Sequence, residues 1–294
     1  MKIIDCFMYY DEDLILDIRL NALNKYVSKF IICEANFNHN GTKKKFNFDI
    51  KNFSEFSEKI IYLPLENQPK NLKDIEKSDN KLIKNSKILD NALKRENFQR
   101  NFLLNGIKEF NDEDLILISD LDEIPNLKNF VYKSKITLFE QKMYYYKLNL
   151  VYPNFIWYGS KVCKKKDLYN PQWLRNVKSK KYPSWRLDIL FSKTKYNKIK
   201  IIKDGGWHFS NIKNPEMINL KMKNFLHHLE YEESGLKVND LKRLIKERRV
   251  FYDHNLDKKE KKWKSFSKLE KEEDKNLPDY IFQNKKKFKD WIEI

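Results

Sequence analysis

Short aliphatic runs alternate with helix-spaced apolar positions through the first part of the chain. Residues 3–9 (IIDCFMY), 29–34 (KFIICE), 59–65 (KIIYLPL) and 114–119 (DLILIS) carry the near-continuous apolar pattern of buried strands. Residues 12–26 (EDLILDIRLNALNKY) place apolar side chains at helical spacing, with acidic residues early, where a helix N-terminus favours them. Residues 88–110 give the strongest helical pattern, and 66–87 are polar and Lys-rich, predicting a mobile excursion. The Asn-, Gly- and Lys-rich NHNGTKKK between the second and third runs predicts a loop. This β-α-β order predicts an α/β fold with a mainly parallel central sheet flanked by helices. Ligands of such sheets bind beyond the carboxyl ends of the strands, so residues just after a strand carry functional weight.

The pattern changes after Pro125. Residues 142–152 (KMYYYKLNLVY) predict an aromatic-rich strand, 197–210 end in DGGWHFS, and 215–233 and 237–252 predict helices. From 257 the chain is dense in Lys and Glu and closes with LPDYIFQNKKKFKDW. A single catalytic domain over 1–294 is expected, with a first half (1–125), a second half (126–256) and a C-terminal extension (257–294).

Composition narrows the class. Hydrophobic residues make up 41% and aromatics 14% of 294 residues, so the chain is globular and long enough to bury a core. The net charge of +17 allows two readings: attraction to polyanions, anionic membranes included, or a Lys-filled solvated surface. The excess is spread along the chain and carries few Arg, whereas phosphate forks favour Arg. Cys6, Cys33 and Cys163 are isolated, with no zinc spacing and no disulfide framework. No signal-peptide pattern and no membrane-length apolar stretch occurs, which predicts a cytoplasmic protein.

The sharpest chemical signal is Ser119-Asp120-Leu121-Asp122-Glu123-Ile124-Pro125, directly after the run LILI. In an extended chain Asp120 and Asp122 share a side. Two carboxylates there, with Glu123 adjacent, suit a shared hard cation, Mn²⁺ or Mg²⁺, that also takes phosphate oxygens and waters. The alternative is a solvated acidic turn closed by Pro125. In REN-FQRN (95–101), Glu96, Gln99 and Arg100 lie at i, i+3 and i+4 and form one polar helix face, either solvated or lining the same cleft. In Asp204-Gly205-Gly206-Trp207-His208-Phe209-Ser210 the glycines permit close approach. His208 is a candidate metal or phosphate ligand, or a core histidine, and Trp207 a candidate stacking surface for a sugar or base. His227-His228-Leu229-Glu230 sits on a helix, where adjacent histidines point apart and do not chelate. There is no HExxH, GxSxG, Walker A or GxGxxG motif.

Taken together these segments resemble glycosyltransferase family 17 nearly end to end. DCFMYYDEDLILDIRL is similar to its opening block, with Glu12 and Arg19 matching. KFIICEANFNHNGTKK is similar to the second, with Glu34 and Gly41 matching. REN-FQRN followed by LILISDLDEIP is the most specific stretch, GGWHFS and HLE (His228 to Glu230) match later blocks, and LPDYIFQN the closing one. The resemblance implies a GT-A-type nucleotide-sugar fold, a divalent metal at D-x-D and inversion at the anomeric carbon. Its mammalian members use UDP-GlcNAc and an N-glycan mannose. It implies metal ligation by Asp120, Asp122 and His208. It implies donor contacts from Glu12, Arg19, Glu34, Gln99, Arg100, Asn101, Asp120, Trp207 and His228, and catalytic roles for Asp122 and for Glu230. Glu230 is the favoured general base, with Glu123, Asp188 and Asp204 as the other candidates. The expected partners are a UDP-sugar and a glycan acceptor (surface polysaccharide, lipopolysaccharide or glycoprotein glycan), with no nucleic acid.

Two rivals remain at this level. A haloacid-dehalogenase-like phosphohydrolase also carries D-x-D after a strand, but Glu123-Ile124-Pro125 follows here and the motif lies far from the N-terminus. A basic nucleic-acid-binding protein would account for +17 but not for the carboxylate cluster, which repels phosphates without a metal.

Overall fold

The structure, a computed structural model, describes every residue except Lys181, Ser184, Leu190, Asn197 and Lys258, with only the backbone of Lys259 and Glu260. Strand β1 (Ile3–Tyr9) leads through α1 (Asp13–Leu23) to β2 (Lys29–Ala35), β3 (Ile60–Leu65), α2 (Lys81–Phe102), α3 (Leu104–Ile107) and β4 (Leu115–Ile118). Five short strands follow: β5 (Glu123–Pro125), β6 (Ile136–Phe139), β7 (Gln141–Tyr145), β8 (Leu150–Trp157) and β9 (Lys161–Lys164). Next come α4 (Pro171–Asn176), β10 (Ile199–Ile202), β11 (Gly206–Ser210), α5 (Pro215–Asn224), α6 (His228–Ser234) and α7 (Val238–Lys246). The chain ends with α8 (Lys259–Lys262), β12 (Glu270–Lys271) and α9 (Asp279–Gln283).

Two sheets form, both mixed. The first has the order β10-β6-β9-β4-β1-β2-β3. Its strands pair in parallel except where β9 runs against β4 and β6. In place of the expected mainly parallel central sheet, both sheets are mixed, because the second half adds the reversed strand β9 and a separate five-stranded sheet, β12-β8-β7-β11-β5. Alternate side chains of β1, β2 and β4 feed two cores. Phe7, Phe30 and Leu117 pack with α1, and Cys6, Ile31 and Ile118 pack beside Leu103 and Trp173. A third core, rich in Tyr and Trp, lies between β7, β8 and helices α5 to α7. All three cysteines are free and buried.

Element boundaries depart from the sequence pattern where a local device intervenes. Helix α2 starts seven residues before residue 88, because the Asn80 side chain caps the Ile83 N–H and brings Lys81 to Lys87 into the helix. The expected strand 142–152 is two antiparallel strands, reversed through a left-handed Tyr146 (φ 65°). The expected helix 215–233 breaks at an extended Phe225, giving α5 and α6. The helix expected over 237–252 ends at Lys246, and a left-handed Arg248 turns Val250 and Phe251 into the third core.

Candidate active site

A cavity of about 610 Å³ opens where the carboxyl ends of β1, β2 and β4 meet the second sheet and α5. Its wall from the first half carries Glu12, His39, Glu96, Arg100, Asp120 and Asp122, with Tyr9, Tyr10 and Phe37 among them. The rest of the wall includes the rings of Trp157, Phe251, Tyr252 and His254 from the second half and Trp263 from the C-terminal extension.

The D-x-D segment is a turn, not an extended strand. The Glu123 N–H donates to the Asp120 carbonyl (3.1 Å). The alternation expected of extended chain therefore does not apply, and the two carboxylates take separate partners. Arg19 holds this turn from beneath. Fully buried, it donates to both Asp5 oxygens (2.8 and 2.6 Å), to Ser119 Oγ (2.5 Å) and to the carbonyls of Asp120, Leu121 and Glu123 (3.1, 3.1 and 2.9 Å). Turn carbonyls left over by the strand ladder thus find donors inside the protein.

Asp120 receives Arg100 on one oxygen (3.0 Å) and Arg175 on the other (2.8 Å). Burial alone would raise its pKa, but Arg175 and Arg100 hold it well below the usual carboxylate range. Arg175 also forks onto both oxygens of Glu123 (2.6 and 2.8 Å), which is 1% exposed and accepts the Trp157 indole N–H. Gly159 makes room for this group, since a Cβ there would overlap the Glu123 carboxylate.

Asp122 faces His208. The Phe209 N–H donates to the Asp122 carbonyl (2.8 Å), and β11 pairs antiparallel with β5, His208 opposite Glu123. This register brings His208 Nε2 to 3.5 Å from Asp122 Oδ1. Gly206 (φ 136°) permits the approach, since a side chain there would strike the Ile124 carbonyl. Burial disfavours the His208 imidazolium, but Asp122 outweighs it and raises the ring's pKa. His208 Nδ1 is buried without a hydrogen-bond partner, and Trp157 packs on the ring at 5.4 Å. Among the described residues no group of three His, Cys, Asp or Glu side chains gathers as a metal cluster.

The remaining candidates divide by location. Glu12, Gln99 and Arg100 line the cavity with Asp120, Asp122 and His208. Glu12 pairs with Lys221 (3.0 Å). Burial opposes its charge, but Lys221 and Lys213 lower its pKa to about 2. Gln99 donates to the Cys33 carbonyl (3.2 Å) and meets His39 at 3.4 Å. Arg19 and Glu34, expected as donor contacts, lie off the cavity wall. Glu34 is fully buried and accepts from Lys44, the N–H groups of Asn47 and Phe48, and Tyr62, so it pins the loop after β2. Asn101 turns to cap α4 through the Gln172 N–H (3.0 Å). Trp207 alternates with His208 along β11 and lines a different cavity, its indole tied to the Asn276 carbonyl (2.7 Å). His228 is buried against the Phe225 carbonyl, and His227 takes the cavity wall in its place. Glu230 lies off that wall, 3.0 Å from His227 Nδ1. Asp188 pairs with Arg186 and Lys195 in an exposed turn, and Asp204 lines the cavity on the far side of β11.

Sequence reasoning missed Arg175, Trp157, His227, Tyr252, His254 and Trp263. Arg175 lies more than fifty residues from the turn it clamps, in NPQWLRN, which carries no motif.

Glu12, Arg100, Asp120, Asp122 and His208 thus line one cavity at strand carboxyl ends, where α/β enzymes bind their ligands. The family model described as glycosyltransferase family 17 matches residues 1–292. The protein is a glycosyltransferase, and the chain belongs to family 17. In general terms this means a nucleotide-sugar donor and a glycan acceptor, and it decides against the phosphohydrolase and the non-enzymatic nucleic-acid binder. No curated protein matches the chain. No helix among the described residues is long and apolar enough to cross a membrane.

Proposed function

We propose that the protein is a metal-dependent, inverting glycosyltransferase of the GT-A kind. In this reading it moves N-acetylglucosamine from UDP-N-acetylglucosamine onto a surface polysaccharide, a lipopolysaccharide or a glycoprotein glycan. The observation that carries the reading is the approach of Asp122 and His208, from the two halves of the chain, on the wall of a cavity at strand carboxyl ends. One carboxylate and one imidazole, with His208 Nε2 turned toward Asp122 Oδ1, fit Mn²⁺ or Mg²⁺ that draws its other ligands from phosphate oxygens and waters. Bound there, the ion supplies charge neutralisation at the donor diphosphate and the departing UDP. Asp120, with both oxygens on arginines, sets the turn and balances charge, and Arg100 adds positive charge beside the phosphates.

Inversion by single displacement needs a proton acceptor opposite the leaving group. Glu230 is proposed to serve by orienting His227: a carboxylate on Nδ1 makes that nitrogen the donor and leaves the Nε2 lone pair for the acceptor hydroxyl. The deciding experiment is calorimetry of UDP with and without Mn²⁺, alongside a donor-hydrolysis screen over UDP- and GDP-sugars. Asp122→Asn is expected to weaken metal-dependent UDP binding by roughly a hundredfold with the fold intact. Unchanged affinity in that variant, with Mn²⁺ present, would overturn the reading.

A further inference from the structure

Between α4 and β10 the chain leaves the first sheet and carries chemistry that the cavity does not use. Residues 178–200 hold eight Lys or Arg and one acidic residue, Asp188. That one carboxylate is already matched: Arg186 forks onto both of its oxygens (2.8 Å each), and Lys195 reaches one of them (2.8 Å). Lys178, Lys180, Lys193 and Lys198 stand exposed around it. Among these cations three large apolar side chains are turned to solvent: Trp185 is 77%, Leu187 73% and Phe191 89% exposed. Single exposed apolar residues are ordinary on a protein surface, but a group of large ones so close in the chain marks an interaction surface. The loop is tied at its foot. The Lys178 N–H donates to the Thr194 carbonyl (2.9 Å), and the Trp173 indole N–H of α4 to the Lys193 carbonyl (2.6 Å). One short turn, Leu187–Ile189, shapes its tip.

The occupant must accept apolar side chains and positive charge together. A nucleic acid offers phosphates but no apolar layer for Leu187. A second copy of this chain would bring lysines against lysines. An anionic lipid surface takes both: lysines settle at lipid phosphates, an indole at the headgroup level, and Leu and Phe at the boundary with the acyl chains. We propose that this loop docks the protein on an anionic bilayer through Trp185, Leu187 and Phe191, with the exposed lysines on the headgroups. Helix α4, from which the loop springs, also carries Arg175 onto Asp120 and Glu123, so one short helix joins the docked face to the cavity. The inference stands on the loop and is independent of the donor and metal assignments.

Flotation of the full chain with vesicles tests it, comparing phosphatidylcholine alone with equal parts phosphatidylcholine and phosphatidylglycerol. Binding is expected to the mixed vesicles only, and should weaken as salt rises. Phe191→Ser, which leaves the charge unchanged, should lower partitioning about tenfold, the scale of one side chain losing its apolar contact. Lys178→Gln and Lys180→Gln should cost about fivefold each, the scale of one lysine at an anionic surface. Leu82→Ser and Lys84→Gln, exposed positions on α2, should leave partitioning unchanged and control for the general positive charge of the chain. Lipids brominated on the acyl chains should quench tryptophan fluorescence, and Trp185→Phe should remove that quenching. Near-UV circular dichroism checks that each variant is folded. No binding to the mixed vesicles, or equal binding to both kinds, overturns the proposal. So does binding that Phe191→Ser leaves intact while Lys84→Gln weakens it as much as Lys178→Gln, since charge alone then explains it. Self-association in sedimentation that Phe191→Ser abolishes, without vesicle binding, overturns it in favour of a second copy.

Discussion

The two ends of the cavity are built by different means. At the charged end carboxylates meet cations fixed on surrounding elements: Arg19 under the turn, Arg175 from α4 and Lys221 from α5. At the aromatic end, rings from β8, from the segment after α7 and from beyond α8 pack edge to face. The charged end is thus locked before any ligand arrives, since a buried charge without its partner is expensive. The aromatic end carries no such demand for a matching charge. A rigid end suits a phosphate-bearing substrate whose charge must be met at fixed points, and an adaptable end suits a sugar held by faces.

The largest effect expected of this contrast is on stability. Arg19→Met leaves Asp5 charged and buried and removes a donor from three turn carbonyls, and should cost about 3–5 kcal/mol in urea unfolding. A loss no greater than that of Tyr252→Ala would break the comparison. Next is Trp157→Phe, at the junction, which removes the indole donor to Glu123 and thins the packing on His208. It should weaken Mn²⁺-dependent UDP binding about tenfold by calorimetry, the scale of lost support for a ligating side chain.

Acid should then separate the two ends. His254 has its pKa lowered from 6.5 to about 3, so its neutral form stabilises the fold above pH 6.5 and that contribution is lost as pH falls toward 3. Glu12 has its pKa lowered from 4.5 to about 2, so its contribution persists above pH 4.5 and is lost only between there and 2. Urea midpoints measured against pH should lose slope between 6.5 and 3 in His254→Phe, and between 4.5 and 2 in Glu12→Gln. Interchanged windows would show that the two environments are wrongly described. The smallest effect is Trp207→Phe. This ring faces away from the cavity, and UDP affinity should stay within about 0.5 kcal/mol of wild type. A tenfold loss would restore Trp207 to the donor site.

Legibility in the sequence follows the same division. The charged end was visible because its residues fall in short motifs on regular elements. LILI-SDLDE announces a strand and the turn after it, and Glu96, Gln99 and Arg100 share a helix face by spacing alone. Even there, local pattern misjudged orientation. Arg19 and Glu34 are in matched motifs but turn inward, because their charges find complete sets of buried partners beneath the sheet. The aromatic end was hardly visible: Trp157, Tyr252, His254 and Trp263 belong to separate segments with no periodicity to join them.

By itself the sequence determined the alternation of strands and helices in the first half, the acidic turn after β4 and the family to which the chain belongs. Each is written in contiguous residues whose spacing physics constrains locally. Only the tertiary structure decided which of two adjacent side chains faces the cavity: His208 and not Trp207, His227 and not His228. In β11 that choice is set by pairing with β5 and β7, and in α6 by the break at Phe225 that rotates the helix start. A one-residue shift in either would exchange the faces, because side chains alternate along a strand and turn by about 100° per residue on a helix.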